Sequence, residues 1–167
     1  KLFKINILAA DKNFNTICKQ IRKYKPIIFA INNTKILSKV KKKFKNSNCK
    51  IIHLNEINKN NFLNSDILIS AIPGIAGLTP TINVLKKSKK LLIANKESVI
   101  CGWKFIYKIL KKKKIKVIPI DSEHYGIMSL IQGHNINSIS KIYLTASGGP
   151  FLNYKINQLN NITPKDA

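Results

Sequence analysis

Short runs of β-branched residues alternate with stretches of helical spacing along the whole 167-residue chain. That alternation predicts an α/β fold with a doubly wound, mostly parallel sheet. Two further observations agree. The early strands are short and nearly all apolar, as expected where helices cover both faces of a sheet. Strands separated by helices must also cross over, which they do with a right-handed sense.

The elements follow in order. Strand patterns occur at Phe3–Ala10, Ile27–Asn32, Lys50–Leu54, Asp66–Ile72, Lys90–Ala94, Ile115–Ile120 and Ile139–Ala146. Helical spacing fills Phe14–Tyr24, Lys35–Phe44, Leu78–Lys87, Ser98–Lys112 and roughly His124–Gln132. A short helix or turn is expected after Leu54. The Lys111–Lys114 run ends a long helix, where cations suit the negative end of the dipole. Thr163-Pro164-Lys165-Asp166 carries a helix-start signature. With no Met at residue 1 and that signature at the other end, the chain reads as cut at both ends.

Composition narrows the class. Hydrophobic residues make up 44% and charged residues 22%, a globular balance. Runs such as Ile7–Ala10 and Ile27–Ile31 fall far short of the roughly 18 apolar residues that a membrane span needs. No signal peptide is legible, so the reading is a soluble chain with no membrane partner. The formal charge is +23, from 30 Lys+Arg against 7 Asp+Glu. Such a charge suits nucleic acid, yet Arg22 is the only arginine, and base readers lean on arginine's bidentate fork. Lys, Ile and Asn together are what AT-biased coding produces. No specific nucleic-acid partner is expected. Cys18, Cys49 and Cys101 are scattered and read as free thiols.

One absence is informative. A doubly wound dinucleotide fold normally opens strand–GxGxxG–helix, and the motif does not occur here. Either no dinucleotide binds, or the first βα unit of a Rossmann-like sheet is lacking.

Acids are rare enough for their positions to matter. Asp11, Glu56, Asp66, Glu97, Asp121, Glu123 and Asp166 are all there are. Acids at the carboxyl ends of strands matter most, because ligands bind there in open α/β sheets. Ala94-Asn95-Lys96-Glu97-Ser98 places an amide, a cation, a carboxylate and a hydroxyl at a strand-to-helix junction. It is either a ligand-orienting segment or a helix cap. In Pro119-Ile120-Asp121-Ser122-Glu123-His124 the two carboxylates stand two apart, so extended backbone sends both to one face. Two hard oxygen donors suit Mg²⁺ or Mn²⁺; the alternative is a helix N-terminus with Asp121 or Ser122 capping. Thr145-Ala146-Ser147-Gly148-Gly149-Pro150 is an anion cradle or an ordinary glycine turn. Ala71-Ile72-Pro73-Gly74-Ile75-Ala76-Gly77 brings backbone close to a cofactor or simply turns. His53, His124 and His134 receive no ligand role.

Taken in sequence, Ala71–Thr81, Ala94–Ser98, Pro119–His124 and Leu144–Phe151 resemble one family, 1-deoxy-D-xylulose 5-phosphate reductoisomerase. The resemblance implies a Rossmann-like NADPH-binding domain over residues 1–120, lacking its first βα unit. It leads into the beginning of an α/β catalytic, metal- and substrate-binding domain at residues 121–167. It also implies NADPH-dependent rearrangement and reduction of 1-deoxy-D-xylulose 5-phosphate to 2-C-methyl-D-erythritol 4-phosphate, with Mn²⁺ or Mg²⁺ (Co²⁺ also possible) as Lewis acid. On the matching positions, Asp121 and Glu123 are metal ligands and, with Lys96, the catalytic set. Lys96, Ser122, Glu123 and Ser147 are substrate contacts, while Lys12, Asn13, Asn95 and Glu97 are cofactor contacts. A small phosphorylated sugar substrate, a homodimer and a bacterial cytoplasm (or a plastid, behind a transit peptide) complete the expectation. One departure stands out: the family usually has a small residue, often Gly, where this chain has Asp11. The alternatives are another NAD(P)-linked doubly wound oxidoreductase or a Lys-rich nucleic-acid-binding module.

Overall fold

A computed structural model describes residues 3–59, 64–143 and 149–166. The chain forms two compact units, Lys1–Asp121 and Ser122–Ala167. In the first unit, β1 (Ile7–Ala10), α1 (Phe14–Tyr24), β2 (Ile28–Ile31), α2 (Thr34–Lys43) and β3 (Lys50–His53) make a parallel sheet in the order β1-β2-β3. A 3₁₀ turn at Leu54–Lys59 follows. Then β4 (Ser65–Ser70), α3 (Leu78–Leu85), β5 (Ser88–Ile93), α4 (Lys96–Lys113) and β6 (Lys116–Pro119) make a second parallel sheet, β4-β5-β6.

The α/β, Rossmann-like class is therefore the one expected, with every strand pair parallel. The expected single sheet is instead two three-stranded sheets, and no ladder joins β1 to β4 among the described residues. Asn6 Nδ2 donates to Ser65 Oγ at 3.1 Å beside their starts. An apolar cluster of Ile28, Ala30, Ile52 and Val84, with Ile7 and Leu68 against it, also spans the two sheets.

The period-2 rule explains the core. All four residues of β2 are buried. Ile28 and Ala30 face the Val84 cluster, and Phe29 and Ile31 face Ile17, Ile21, Leu37 and Val40 of α1 and α2. The helices start where the sequence supplies caps. Asn13, Asn33 and Asn95 accept from the backbone N–H groups of Thr16, Ile36 and Ser98. Helices α1 and α4 close on Lys25 and Lys114, whose φ angles of 46° and 52° are left-handed, a place usually taken by glycine. Burial within this unit pushes the Cys49 thiol above its ordinary range.

The second unit holds α5 (Ser122–Ile131) and 3₁₀ turns at Ile136–Ser138, Gly149–Phe151 and Ile156–Asn161. No described residue in it is buried. This corrects the expected strand at Ile139–Ala146. Residues 139–143 are not a strand, since with Ile142 and Tyr143 exposed there is no apolar face to pair against; 144–146 lie outside the described residues. The helix-start signature at Thr163 does form its contacts. The Thr163 N–H and hydroxyl donate to the Asp166 carboxylate at 2.8 and 2.7 Å, which holds that carboxyl below its ordinary range.

Candidate active site

Three strand ends meet at the carboxyl edge of the second sheet. The N–H groups of Ala94 and Asn95 both donate to Ser70 O, at 2.9 and 3.2 Å, joining the exits of β4 and β5. Ile120 N–H donates to Ile93 O at 2.9 Å, which holds the exit of β6 beside them. Parallel strands deliver their connecting loops to one edge, so residues 71–77, 94–98 and 120–121 share it.

Asn95 is the hub. It is buried, its Oδ1 caps α4 through Ser98 N–H, and its Nδ2 donates to the carbonyls of Ile72 and Gly74. Gly77 packs so tightly under it that an added Cβ would stand 2.5 Å from Ile72 O and 2.7 Å from Asn95 Nδ2. Gly74, with φ +70°, makes the turn possible. Below, buried Thr81 donates to Gly77 O at 2.7 Å and shares a 2.7 Å hydrogen bond with Ser70. The Ile72–Gly77 turn is thus held at three carbonyls by two side chains, Asn95 and Thr81, the first of them at least 21 residues away in sequence from the carbonyls it holds. Lys96 and Glu97 stand exposed on the first turn of α4, where a carboxylate is favourable to the dipole.

Lys12 and Asn13 lie at the corresponding edge of the first sheet, exposed between β1 and α1. Asn13 caps α1. Asp11 Oδ1 accepts from Asn32 Nδ2 at 3.0 Å, and Asn32 O meets His53 Nε2 at 2.8 Å. His53 Nδ1 accepts from Asn55 N–H. A nitrogen that accepts leaves the other to carry the proton, so this ring is the Nε2–H tautomer donating to Asn32 O. Sequence reasoning gave Asn32 and His53 no place. The available signal was position, since each lies at the exit of its strand.

The expectation for Asp121 and Glu123 needs one correction. Ser122 and Glu123 are in the first turn of α5 and Asp121 directly precedes it, so the backbone there is not extended. Strand alternation therefore does not place the two carboxylates on one face. Both residues are half-buried and Ser122 is exposed. Among the described residues no group of three or more His, Cys, Asp or Glu converges. Two carboxylates are a donor set that fits Mg²⁺ or Mn²⁺ when waters and substrate oxygens supply the rest. Ser147 lies outside the described residues.

A sequence profile described as 1-deoxy-D-xylulose 5-phosphate reductoisomerase matches residues 1–102, and one for the C-terminal domain of that enzyme matches 117–167. The chain belongs to the 1-deoxy-D-xylulose 5-phosphate reductoisomerase family. The reductoisomerase of Pelagibacter ubique is 42% identical across all of this chain, and that of Clostridium novyi 35% across 99% of it. In both cases the chain spans 44% of the relative's length. Among solved structures, the Zymomonas mobilis reductoisomerase in complex with NADPH superposes with a TM-score of 0.82 at 24% identity, which speaks for the fold. A reductoisomerase complex with NADPH, fosmidomycin and magnesium gives 0.78 at 28% identity. Each superposition covers 99% of this chain and 44% of the other.

Proposed function

We propose that this chain carries the nucleotide-binding and first metal-binding part of an NADPH- and divalent-metal-dependent reductoisomerase. The substrate is 1-deoxy-D-xylulose 5-phosphate and the product 2-C-methyl-D-erythritol 4-phosphate, in non-mevalonate isoprenoid precursor synthesis. The observation that supports this most is the convergence of the Ile72–Gly77 turn, Asn95–Glu97 and Asp121 at one sheet edge, in a chain of this family.

The roles follow from residue chemistry. Asp121 and Glu123 offer hard oxygens to Mn²⁺, Mg²⁺ or Co²⁺. When bound, that cation polarises substrate oxygens and holds them as a template. Lys96 stands on the first turn of α4 with an ammonium that donates to substrate oxygens, and Ser122 adds a hydroxyl beside the carboxylates. Ser147 contributes near the substrate phosphate. Lys12 and Asn13 flank the adenosine ribose at the N-terminus of α1. Glu97 and the Asn95 region hold the other part of the cofactor, with the turn at Gly74 and Gly77 letting backbone come close. The assembly is a homodimer and works in a bacterial cytoplasm. No helix of the described residues is long and apolar enough to cross a membrane.

A chimera in which this chain replaces the matching segment of the Pelagibacter relative tests the reading. It should oxidise NADPH in the presence of 1-deoxy-D-xylulose 5-phosphate and Mn²⁺. Asp121→Asn in the chimera should lose turnover and need more metal, with NADPH binding nearly unchanged. A helix-capping role alone predicts a silent variant, because Asn caps about as well as Asp. Unchanged metal dependence in that variant therefore rejects the metal assignment.

A further inference from the structure

The carboxyl end of β1 carries a charge that a phosphorylated ribose has to meet. Asp11 is exposed, directly precedes the Lys12-Asn13 pair, and is held there. Asn32 Nδ2 donates to its Oδ1 at 3.0 Å, and Asn32 is itself fixed at the exit of β2 by the His53 Nε2–H on its carbonyl and by its own N–H on Ala10 O at 3.0 Å. A carboxylate standing at a strand exit of a doubly wound sheet, beside a helix N-terminus, has a defined ligand chemistry. It accepts hydrogen bonds from ribose hydroxyls and repels a 2′-phosphate. Asp11 is one of only 7 acids against 30 Lys+Arg, so a carboxylate held by a side-chain donor at that spot is a specific feature against the background of this composition.

Resting on the reading that Lys12 and Asn13 flank the adenosine ribose, we propose that Asp11 is a specificity-determining residue. It turns the site toward a ribose with a free 2′-hydroxyl, so that this chain binds NADH at least as well as NADPH. The Asp11 carboxylate takes the 2′-hydroxyl hydrogen on the oxygen that Asn32 leaves available. Lys12 supplies one cation for a 2′-phosphate, and Asp11 beside it cancels most of that attraction. The Asn32 contact matters because an unanchored carboxylate could swing into solvent, away from the phosphate. Held as it is, it stays in the ribose's path.

The chain itself serves for the test, with two probes that differ only at the 2′ position: AMP and adenosine 2′,5′-bisphosphate. Backbone amide shifts of residues 11–13 and 32–33 are followed by NMR for the wild type, Asp11→Asn and Asp11→Gly. Asp11→Asn keeps an acceptor for Asn32 and removes only the charge, so a change in selectivity there is electrostatic and not a collapse of the loop. The expected result is wild-type binding of AMP no weaker than that of the bisphosphate. Both variants should then shift the ratio toward the bisphosphate by about tenfold or more, the scale set by juxtaposed like charges. A wild type that already prefers the bisphosphate tenfold, or a ratio unmoved in both variants, overturns the role of Asp11 while leaving the nucleotide site intact. If neither probe moves those amides, the ribose-binding reading of Lys12 and Asn13 fails and this inference fails with it.

Discussion

Asn95 commits both amide hydrogens and its carbonyl oxygen to backbone groups. A capping residue alone would need only the oxygen. The two functions separate by substitution. Asn95→Asp keeps the acceptor for Ser98 N–H but sets a carboxylate against the carbonyls of Ile72 and Gly74. If capping were all, Asp would be silent. Because the half-buried Ile72 and Gly74 lose the Asn95 donor to their carbonyls and face a carboxylate instead, Asn95→Asp should destabilise the chain at least as much as Asn95→Ala, by about 1–3 kcal/mol in each case. Urea denaturation of the two variants measures this. An Asp variant within experimental error of wild type would show that the turn does not depend on Asn95.

The two buried glycines on or beside α3 and α4 show how the elements are fitted. An added Cβ at Gly77 meets a backbone carbonyl and the Asn95 amide, neither of which has anywhere to go. At Gly102, in the middle of α4, it meets Leu78 Cδ1 and Cδ2, the far end of a side chain that can rotate. Alanine at 102 also gains up to about 1 kcal/mol of helix propensity. Gly77→Ala should therefore cost about 1–3 kcal/mol, while Gly102→Ala should stay close to wild type. Thermal unfolding of both variants decides it, and equal losses would contradict the packing argument. Helix α4 also marks how far the sequence could be read. Its periodicity, its Asn cap and its terminal lysines are local signals, and they brought the helix to within two residues of Lys96–Lys113. The first sheet's apolar runs were equally legible. The anchoring of Asp11 by Asn32 was not, because it depends on β1 and β2 lying side by side across 21 residues of sequence. Nor was the start of α5. The Asp121–Glu123 spacing suits a strand face and a helix N-terminus alike, and only the surrounding backbone chooses. The run at Ile139 failed for a related reason, since a β-branched segment is a strand only when another strand receives it.

At the scale of the molecule, charge and sheet topology act against each other. β1 and β4 each present one edge without a partner strand among the described residues. β4 also exposes Ile67 at 39% and Ile69 at 60%. An open edge with apolar side chains is a template for another chain's strand. The formal charge of +23 keeps copies apart at low ionic strength. Screening falls to about 10 Å at 0.1 M salt and about 3 Å at 1 M, so added salt removes the repulsion and leaves the edge. Ordinary basic proteins are often kept in solution by salt; this one should do the reverse. Light scattering at fixed protein concentration should rise with sodium chloride, and Ile69→Lys should suppress the rise without altering the monomer's circular dichroism. Scattering that falls with salt, or that ignores Ile69→Lys, would place the sticky surface elsewhere. The practical consequence concerns handling. Purification in the high-salt buffers customary for cationic proteins is the condition under which this chain should self-associate.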